Sequence, residues 1–493
     1  MTYIAAFDLG TSALKGILLD RQGHRASEQS IEIETKYGPN GEVEQQPEQW
    51  WQALQTILSI WQDTTPERVE AIKVITFSGQ MEDVIPLDPS GTASTAILYS
   101  DTRADQEARF IQLKKPYLSN ITGNSIRSST PFAKLLWMKK HQPDQYQSAK
   151  AFVFSAKDYL IYKLTNEAVT DPVTAATSGL MDLHERRWSE ELLSDFLIDA
   201  VKMPRLLEPE QEAGKITDKV SQWTGFSVGT PVLCGSGDAG AATLGAGALH
   251  EGDLYLYLGT TGWAAAPTEK RVNKIDGVFT LSHLPGGTNI SIAPLLNAGN
   301  VHKWAVHIWG DQTKLPYEKF EKMAAASPAG ANGVLFLPYL HGERFPVMDP
   351  EASGAFVGLH PAVQKSDFTR AVVEGLCFSC CQVIESLSEK QEGMITIIGG
   401  GTRSRVWTQT LADILNSPVR VPNESEYSTV LGAASTAFIW MGWVEDYAEF
   451  TEKYIVPQEA EVFTPEQENQ ETYRSQYKRY LKLYPGLQGT YNN

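Results

Sequence analysis

Apolar runs and helical periodicities follow one another along this chain in a regular order. The first run, Tyr3-Ile-Ala-Ala-Phe7, is too short for a helix and apolar throughout, the pattern of a strand buried on both faces. Polar Asp8-Leu-Gly-Thr-Ser12 interrupts it, a second run covers Ala13 to Asp20, and Arg21-Gln-Gly23 makes a turn, which together predict a hairpin. Residues 47–63 place Trp50, Trp51, Leu54, Ile57, Leu58 and Trp61 on one side of a helix. A buried strand is expected at Ile72–Phe77, ending in Ser78-Gly-Gln-Met-Glu-Asp83, with the next strand at Val84–Leu87. Helical patterns dominate from 104 to 165, and Lys157-Asp-Tyr159 opens one of them. Thr170 to Ser178 reads as a hydroxyl-rich loop, and 185–230 as solvated helix broken at Pro204 and Pro209.

After the run Pro231–Cys234 comes Gly235-Ser-Gly-Asp-Ala-Gly-Ala-Ala-Thr-Leu-Gly-Ala-Gly247, a turn leading into an alanine-rich helix. From 254 the pattern restarts. Leu254–Leu258 alternates as a strand and runs into Gly259-Thr-Thr-Gly262, echoing the phrase Leu9-Gly-Thr-Ser12. Such repetition predicts two related lobes, each offering a turn of amides and hydroxyls. A strand at Gly354–Gly358, a helix over 366–388 and a buried strand Met394–Ile398 follow. That strand enters Gly399-Gly-Gly-Thr-Arg-Ser404, then a helix over Val406–Leu415 and a small-residue helix opening at Leu431.

The candidate chemistry gathers where strands end. Asp238 stands among residues too small to cover it, so it reads as a general base or a metal ligand, with a helix-capping role as the alternative. Gly235-x-Gly237-x-x-Gly240 also matches a dinucleotide-binding fingerprint. It lies mid-chain, however, and lacks the ribose-binding acid expected about 20 residues on. The turn Asp8 to Ser12 can hold phosphate oxygens on its amides and hydroxyls, and its Asp a magnesium ion through water. Gln80, Met81 and Glu82, and the segment Tyr99-Ser-Asp101-Thr-Arg103, are polar clusters at strand ends, where α/β proteins bind ligands. Gly399-Gly-Gly401 would let a base and ribose lie on the backbone, or serve tight strand–helix packing. Composition narrows the partners. A net charge of −17 over 493 residues disfavours nucleic acid and anionic membranes. Three of the four cysteines, Cys377, Cys380 and Cys381, share one helical segment and read as core packing. With no basic leader and no apolar run of about 18 residues, a cytoplasmic protein is expected.

Taken in order, Asp8-Leu-Gly-Thr-Ser12, Gly237-Asp-Ala-Gly-Ala-Ala242, Leu258-Gly-Thr-Thr-Gly262 and Gly399 to Asp413 resemble the FGGY carbohydrate kinases. That family belongs to the fold group of actin, hexokinase and the heat-shock ATPases. The resemblance implies a two-lobed α/β fold of the actin/hexokinase (ribonuclease H-like) kind with a cleft between the lobes. Residues 1–247 would be the sugar-binding lobe and 248–493 the nucleotide-binding lobe. It implies ATP and Mg2+ as co-substrate and cofactor, a small sugar as acceptor, and often a homodimer. Residue by residue, it makes Asp238 the base and Asp8 the acid near magnesium. Gly10, Thr11, Ser12, Thr260 and Thr261 become phosphate contacts, and Gly400, Gly401 and Ser404 the loop under the adenosine. Gln409 and Asp413 lie on the helix behind, Asp413 with a structural role.

Around Gln80-Met81, Asp101-Thr-Arg103, Lys157-Asp-Tyr159 and Thr170–Ser178 the sequence is similar to the xylulokinases of this family, which makes D-xylulose the first expected acceptor. Those enzymes usually follow Gln-Met with His-Gly, whereas here Glu82 and Asp83 stand, so other ketoses and glycerol-like polyols stay open. A non-catalytic sensor on the same fold predicts a degraded base or phosphate turn, yet Asp8, Asp238, Thr260 and Thr261 are all present. A dehydrogenase built on the glycine fingerprint leaves the paired Gly-Thr turns unexplained.

Overall fold

The computed structural model describes residues 1–269, 275–310, 316–388 and 393–491. The first hairpin forms as expected: β1 (Tyr3–Leu9) pairs antiparallel with β2 (Ala13–Leu19), and β2 with β3 (Arg25–Glu32). After helix α1 (Pro47–Thr64) the chain returns as β4 (Ile72–Gly79), parallel to β1. Later come helix α2 (Ala156–Thr165), β5 (Glu212–Lys215) and β6 (Pro231–Leu233), giving the order β5-β6-β4-β1-β2-β3. Ser236–Gly237 extends the sheet alongside Ser78–Gly79, and the chain then enters helix α3 (Asp238–Gly245).

The second half repeats this plan. β7 (Tyr255–Leu258) and β8 (Gly262–Thr268) form the hairpin, with β9 (Phe279–Ser282) and β10 (Asn289–Leu295) beyond it. Helix α4 (Gly299–Trp309) and the long α5 (Lys365–Leu387) follow. Next are β11 (Ile395–Ile398), α6 (Arg405–Leu415), β12 (Val419–Pro422), α7 (Ser428–Trp440) and β13 (Ala460–Phe463). Their sheet runs β9-β10-β8-β7-β11-β12-β13. In each half three antiparallel neighbours (β3-β2-β1, β10-β8-β7) are continued by two parallel ones (β4-β6, β11-β12) and an antiparallel edge. The two-lobed expectation is met at the level of topology.

Strand alternation explains the layers. Phe7 of β1 faces α1, its ring 5.6 Å from Trp61 and 5.2 Å from Phe77. Ile4 and Ala6 point to the opposite face and pack with Val74 and Leu233 against Val430, Ala434 and Phe438 of α7. A helix from the second half therefore covers the first sheet. On the second sheet, Leu256, Leu258 and Ile397 join Leu376 of α5 with Trp407 and Leu411 of α6. Tyr255, Ala265 and Ile398 on its other face meet Ala239, Ala242 and Leu244 of α3. The helices α3 and α7 cross between the sheets.

Three segments differ from expectation. Residues 170–178 are not an open loop: the Asp171 carboxylate accepts from the Val173 and Thr174 amides and caps a short helix, Pro172–Ala176, with Pro172 in its first turn. Residues 185–230 are not mainly helical. They hold short strands, turns and two brief helices, Glu190–Asp195 and Asp218–Thr224, because prolines and glycines recur too closely for longer elements. The last small-residue helix begins at Ser428, three residues before its expected start. The four cysteines are free and buried, as core packing requires. No described helix is long and apolar enough to cross a membrane.

Candidate active site

A cavity of about 470 Å³ lies where the ends of the two hairpins, β4, α3 and the loop after β11 converge. It is lined by Asp8, Gly10, Thr11 and Ser12 from one hairpin and by Thr260 and Thr261 from the other. Gln80, Met81, Glu82, Asp238, Gly400 and Gly401 complete the sequence-predicted set. Two predicted residues stay outside it. The Asp101 carboxylate is fully buried against Arg103 (2.6 Å) and the Val43 amide (2.7 Å), so it braces a loop and faces no cavity. Ser404 accepts from the Trp407 amide as the cap of α6 and donates to Glu321.

The two turns are held from behind. Gly10 N–H donates to Ala13 O (3.0 Å), and the Gln45 side chain donates to Thr11 O (2.7 Å). In the second turn Gly259 N–H donates to Thr261 O (2.9 Å), and Asn300 N–H at the start of α4 donates to Thr260 O (2.9 Å). Asp8 stands near the end of β1, where Ser78 Oγ donates to it at 2.7 Å. Burial pushes its pKa up, while Ser78 and the charge of Lys15 pull it down. Lys15 lines the cavity too and was missed in the sequence, although the hairpin register alone sets it directly opposite Asp8. Its ammonium donates to Glu426 O at 2.6 Å, tying the first hairpin to the second half.

Asp238 opens α3. The cap position is Gly237, which has no side chain to use, so Asp238 is not the helix cap, and its carboxylate lies at the cavity wall. Burial raises its pKa to about 8, helped by the negative charges of Asp8 and Asp171 and opposed by the Ala239 amide. Gly235 before it takes φ +63°, and a Cβ there would fall 2.0 Å from Phe77 O. Gly235 thus serves close approach of this strand end to β4, while a Cβ on Gly237 would meet Met81 and one on Gly240 would meet Ser236. Behind it, Lys157 donates to Cys234 O (3.1 Å) and pairs with Asp158 (2.6 Å) and Asp171 (3.0 Å), all three side chains fully buried. Lys157 acts on the loop that carries Asp238 and does not touch the cavity.

Glu82, which also lines the cavity, adopts φ +62°, unusual for a residue with a long side chain. The buried Lys134 ammonium donates to Glu82 O (2.9 Å) and Leu98 O (2.6 Å) and fixes that bend. Burial lowers the Lys134 pKa to about 8 against the pull of Glu82, Asp83 and Asp101. Burial raises Glu82, with Arg344, Lys134 and Arg127 pulling the other way. Gln80 Oε1 and Glu82 Oε1 are buried acceptors with no donor among the described residues. At the far end, a Cβ on Gly399 or Gly401 would meet Leu258 within 2.7 Å, whereas one on Gly400 would meet nothing within 4 Å. Two of the three glycines serve packing on β7, and Gly400 leaves open space. His302, also missed, lines this end beside Tyr317 and Trp407, its imidazole lowered to about 4 by burial. Asp413 accepts from Gln409, the Glu466 amide and Asn469, which holds the C-terminal segment in place.

Family models for the FGGY family of carbohydrate kinases match both halves, the N-terminal domain over residues 3–245 and the C-terminal domain over 254–441. The chain belongs to this family. Being an FGGY kinase, it is a sugar kinase, and the family implies ATP as phosphoryl donor. It is 32% identical to the xylulose kinase of Bacillus subtilis (strain 168), covering 98% of this chain and 97% of that one. A ligand-bound xylulose kinase from Lactobacillus acidophilus superposes with a TM-score of 0.89 at 28% identity, over 100% of this chain and 99% of that one. A gluconate kinase from Lactobacillus acidophilus gives 0.89 at 27% identity, with 99% of each chain covered. The actin/hexokinase-like fold and the kinase activity expected from the sequence are thereby established, and the acceptor sugar is not distinguished by similarity alone.

Proposed function

We propose that this kinase transfers the γ-phosphoryl group of ATP to a hydroxyl of a small neutral sugar, D-xylulose first, giving D-xylulose 5-phosphate. The observation that carries this reading is the pair of buried acceptors without donors, Gln80 Oε1 and Glu82 Oε1, on the cavity wall that also holds Asp238. Unpaired buried acceptors are costly, and sugar hydroxyls are the donors that would satisfy them. Asp238, as a carboxylate, takes the proton of the attacking hydroxyl while the hydroxyl oxygen bonds to phosphorus and the bond from phosphorus to the ADP oxygen breaks. Thr11, Ser12, Thr260 and Thr261 offer amides and hydroxyls to the phosphates from both lobes, Gly10 shapes the first turn through its amide hydrogen bond to Ala13 O, and Lys15 adds a positive charge. Open space over Gly400 suits the nucleoside. On this reading 1–247 is the sugar-binding lobe and 248–493 the nucleotide-binding lobe.

The donor set also suits magnesium. The negative charge of Asp8 raises the Asp238 pKa, so a cation beside Asp8 would relieve both carboxylates. A magnesium ion there would take Asp8 as its protein partner beside water and phosphate, with charge neutralisation as its contribution.

Gln80 and Glu82 call for hydroxyl donors, which a neutral sugar supplies along its whole length. L-xylulose, ribulose and glycerol-like polyols satisfy the same acceptors and form the second reading. A coupled ADP-release screen with ATP-magnesium over ketopentoses, aldoses, polyols and hydroxy acids tests this. D-xylulose is expected to turn over fastest, and rapid turnover of an aldonate with none of D-xylulose would overturn the proposal.

A further inference from the structure

Two tyrosines on β7 project from one face of the strand, because they stand two residues apart. That face meets α3, the helix that Asp238 opens. Tyr255 is closed off there. Its hydroxyl lies 3.0 Å from Thr243 Oγ1 and accepts from Trp263 Nε1 at 3.1 Å, and the residue is fully buried. Tyr257 is built differently. Its ring lies flat on that of Trp263, its neighbour across the hairpin, with centroids 3.9 Å apart and planes 9° from parallel. The stack fixes the phenol at the hairpin end, where Tyr257, Trp263 and the turn Gly259 to Gly262 all line the cavity.

The tip of that phenol lies over the turn. A Cβ on Gly259 would fall 2.6 Å from Tyr257 Cε1 and 3.0 Å from its hydroxyl oxygen, so the space of the missing side chain is the space the tyrosine occupies. Tyr257 is half-buried, and its hydroxyl makes no hydrogen bond to a described residue. Burial raises its pKa, with the carboxylates of Asp8 and Asp238 and the phenols of Tyr99 and Tyr255 adding to the rise, so it keeps its proton. The result is a fixed, protonated and unengaged O–H at one of the two Gly-Thr turns, next to Thr260 and Thr261. Donors converging on one turn suit an anion whose oxygens carry only lone pairs, as those of a phosphoryl group do.

We propose that the Tyr257 hydroxyl donates to a non-bridging oxygen of the phosphoryl group in transit from ATP to the sugar. This rests on the sugar-kinase reading above and adds to it a catalytic residue outside the glycine and threonine motifs. During transfer, negative charge spreads over those oxygens, and a donor already in place stabilises it without reorganisation. The Trp263 stack supplies that placement, so little side-chain freedom is lost when the phosphate arrives. The position of the hydroxyl over Gly259 assigns it to the phosphoryl group and not to the sugar.

Tyr257→Phe keeps the ring and its stack and removes only the hydroxyl. With ATP-magnesium and D-xylulose, its kcat should fall about 100-fold, as for loss of one donor to developing charge, with both KM values within about threefold of the wild type. A fall of less than about tenfold overturns the inference. A raised KM for D-xylulose at unchanged kcat also overturns it, because the hydroxyl would then be reading the sugar. A second measurement does not depend on that variant. With 3-fluorotyrosine placed at 257, the fluorine resonance should shift when ADP-magnesium, D-xylulose and aluminium fluoride, which fills the place of the phosphoryl group, are present together. A resonance that moves no further than with ADP-magnesium and D-xylulose alone overturns the inference even if Tyr257→Phe does not fold. Absence of sugar turnover in the wild-type protein is a different result, because it removes the proposed function itself.

Discussion

In the proposed reaction, Asp238 concentrates the chemistry of the site in one carboxyl group. A base must be ionised to accept a proton, and burial together with Asp8 moves the pKa of Asp238 to about 8. The sugar-dependent kcat/KM of the enzyme should therefore rise about tenfold per pH unit on the acid side and level off above about pH 8, which a pH–rate profile checks. Asp238→Ala should lower turnover by several powers of ten and leave ATP binding nearly intact in a calorimetric titration. Turnover within about tenfold of the wild-type value would remove Asp238 from the role of base. The same shift has a cost to the fold. An acid with a raised folded-state pKa binds more protons folded than unfolded between its ordinary value, 3.8, and about 8. Its contribution to stability therefore falls as pH rises through that window. Asp238→Asn should raise the melting temperature at pH 8 and leave it unchanged near pH 3, where the wild-type carboxyl is already neutral in both states. Higher stability with lost activity would mark this carboxylate as kept for function.

At the scale of elements, much of the frame was legible because period and burial agree. β1 is apolar from Tyr3 to Phe7 since α1 and α7 cover both its faces, and α1 shows helical spacing because it turns a stripe to the sheet, whereas α5 is buried on every side from Ala371 to Cys381. Short pieces were not legible. Between 185 and 230 no element is long enough to establish a period, and Asp171-Pro172 read as loop chemistry although it starts a helix. Glycines misled in a related way. Around Asp238 they suggest room for a ligand, yet a Cβ on Gly245 would fall 1.9 Å from Ser428 O, and one on Gly432 2.0 Å from Ala241 O. These glycines let α3 and α7 cross at backbone contact. Gly432→Ala must push those helices apart, and overpacking of this kind costs on the order of 1–3 kcal/mol or more. Urea unfolding should show that loss. Because α3 begins with Asp238, turnover should fall as well while the KM for ATP changes less. Unchanged stability would show that the crossing relaxes freely.

The whole molecule is organised by that crossing, and this is what the sequence conceals most. The repeat announces itself only as Gly-Thr-Ser and Gly-Thr-Thr, because the matching sheet orders arise from pairings between residues far apart in the chain, such as β1 with β4 and β7 with β11. Nor does any local pattern say that α7, from near the C-terminus, belongs to the first sheet. Its apolar face packs on Ile4, Ala6, Ile17, Leu19, Val74 and Leu233, none with measurable exposure. A fragment ending at residue 247 would leave this face open to water, an apolar patch of the kind that drives association. We therefore expect 1–247 alone to be insoluble or to melt without cooperativity, although it contains Asp8, Glu82 and Asp238. Co-expression with 248–493 should restore a soluble pair, because the missing layer arrives with the second piece. Size-exclusion chromatography and thermal denaturation of the two preparations decide the matter. A monomeric 1–247 with a sharp melt would mean that α7 only docks on a finished lobe. If it fails as expected, residues 1–247 cannot fold without 248–493, and movement of one half against the other must pivot on α3 and α7.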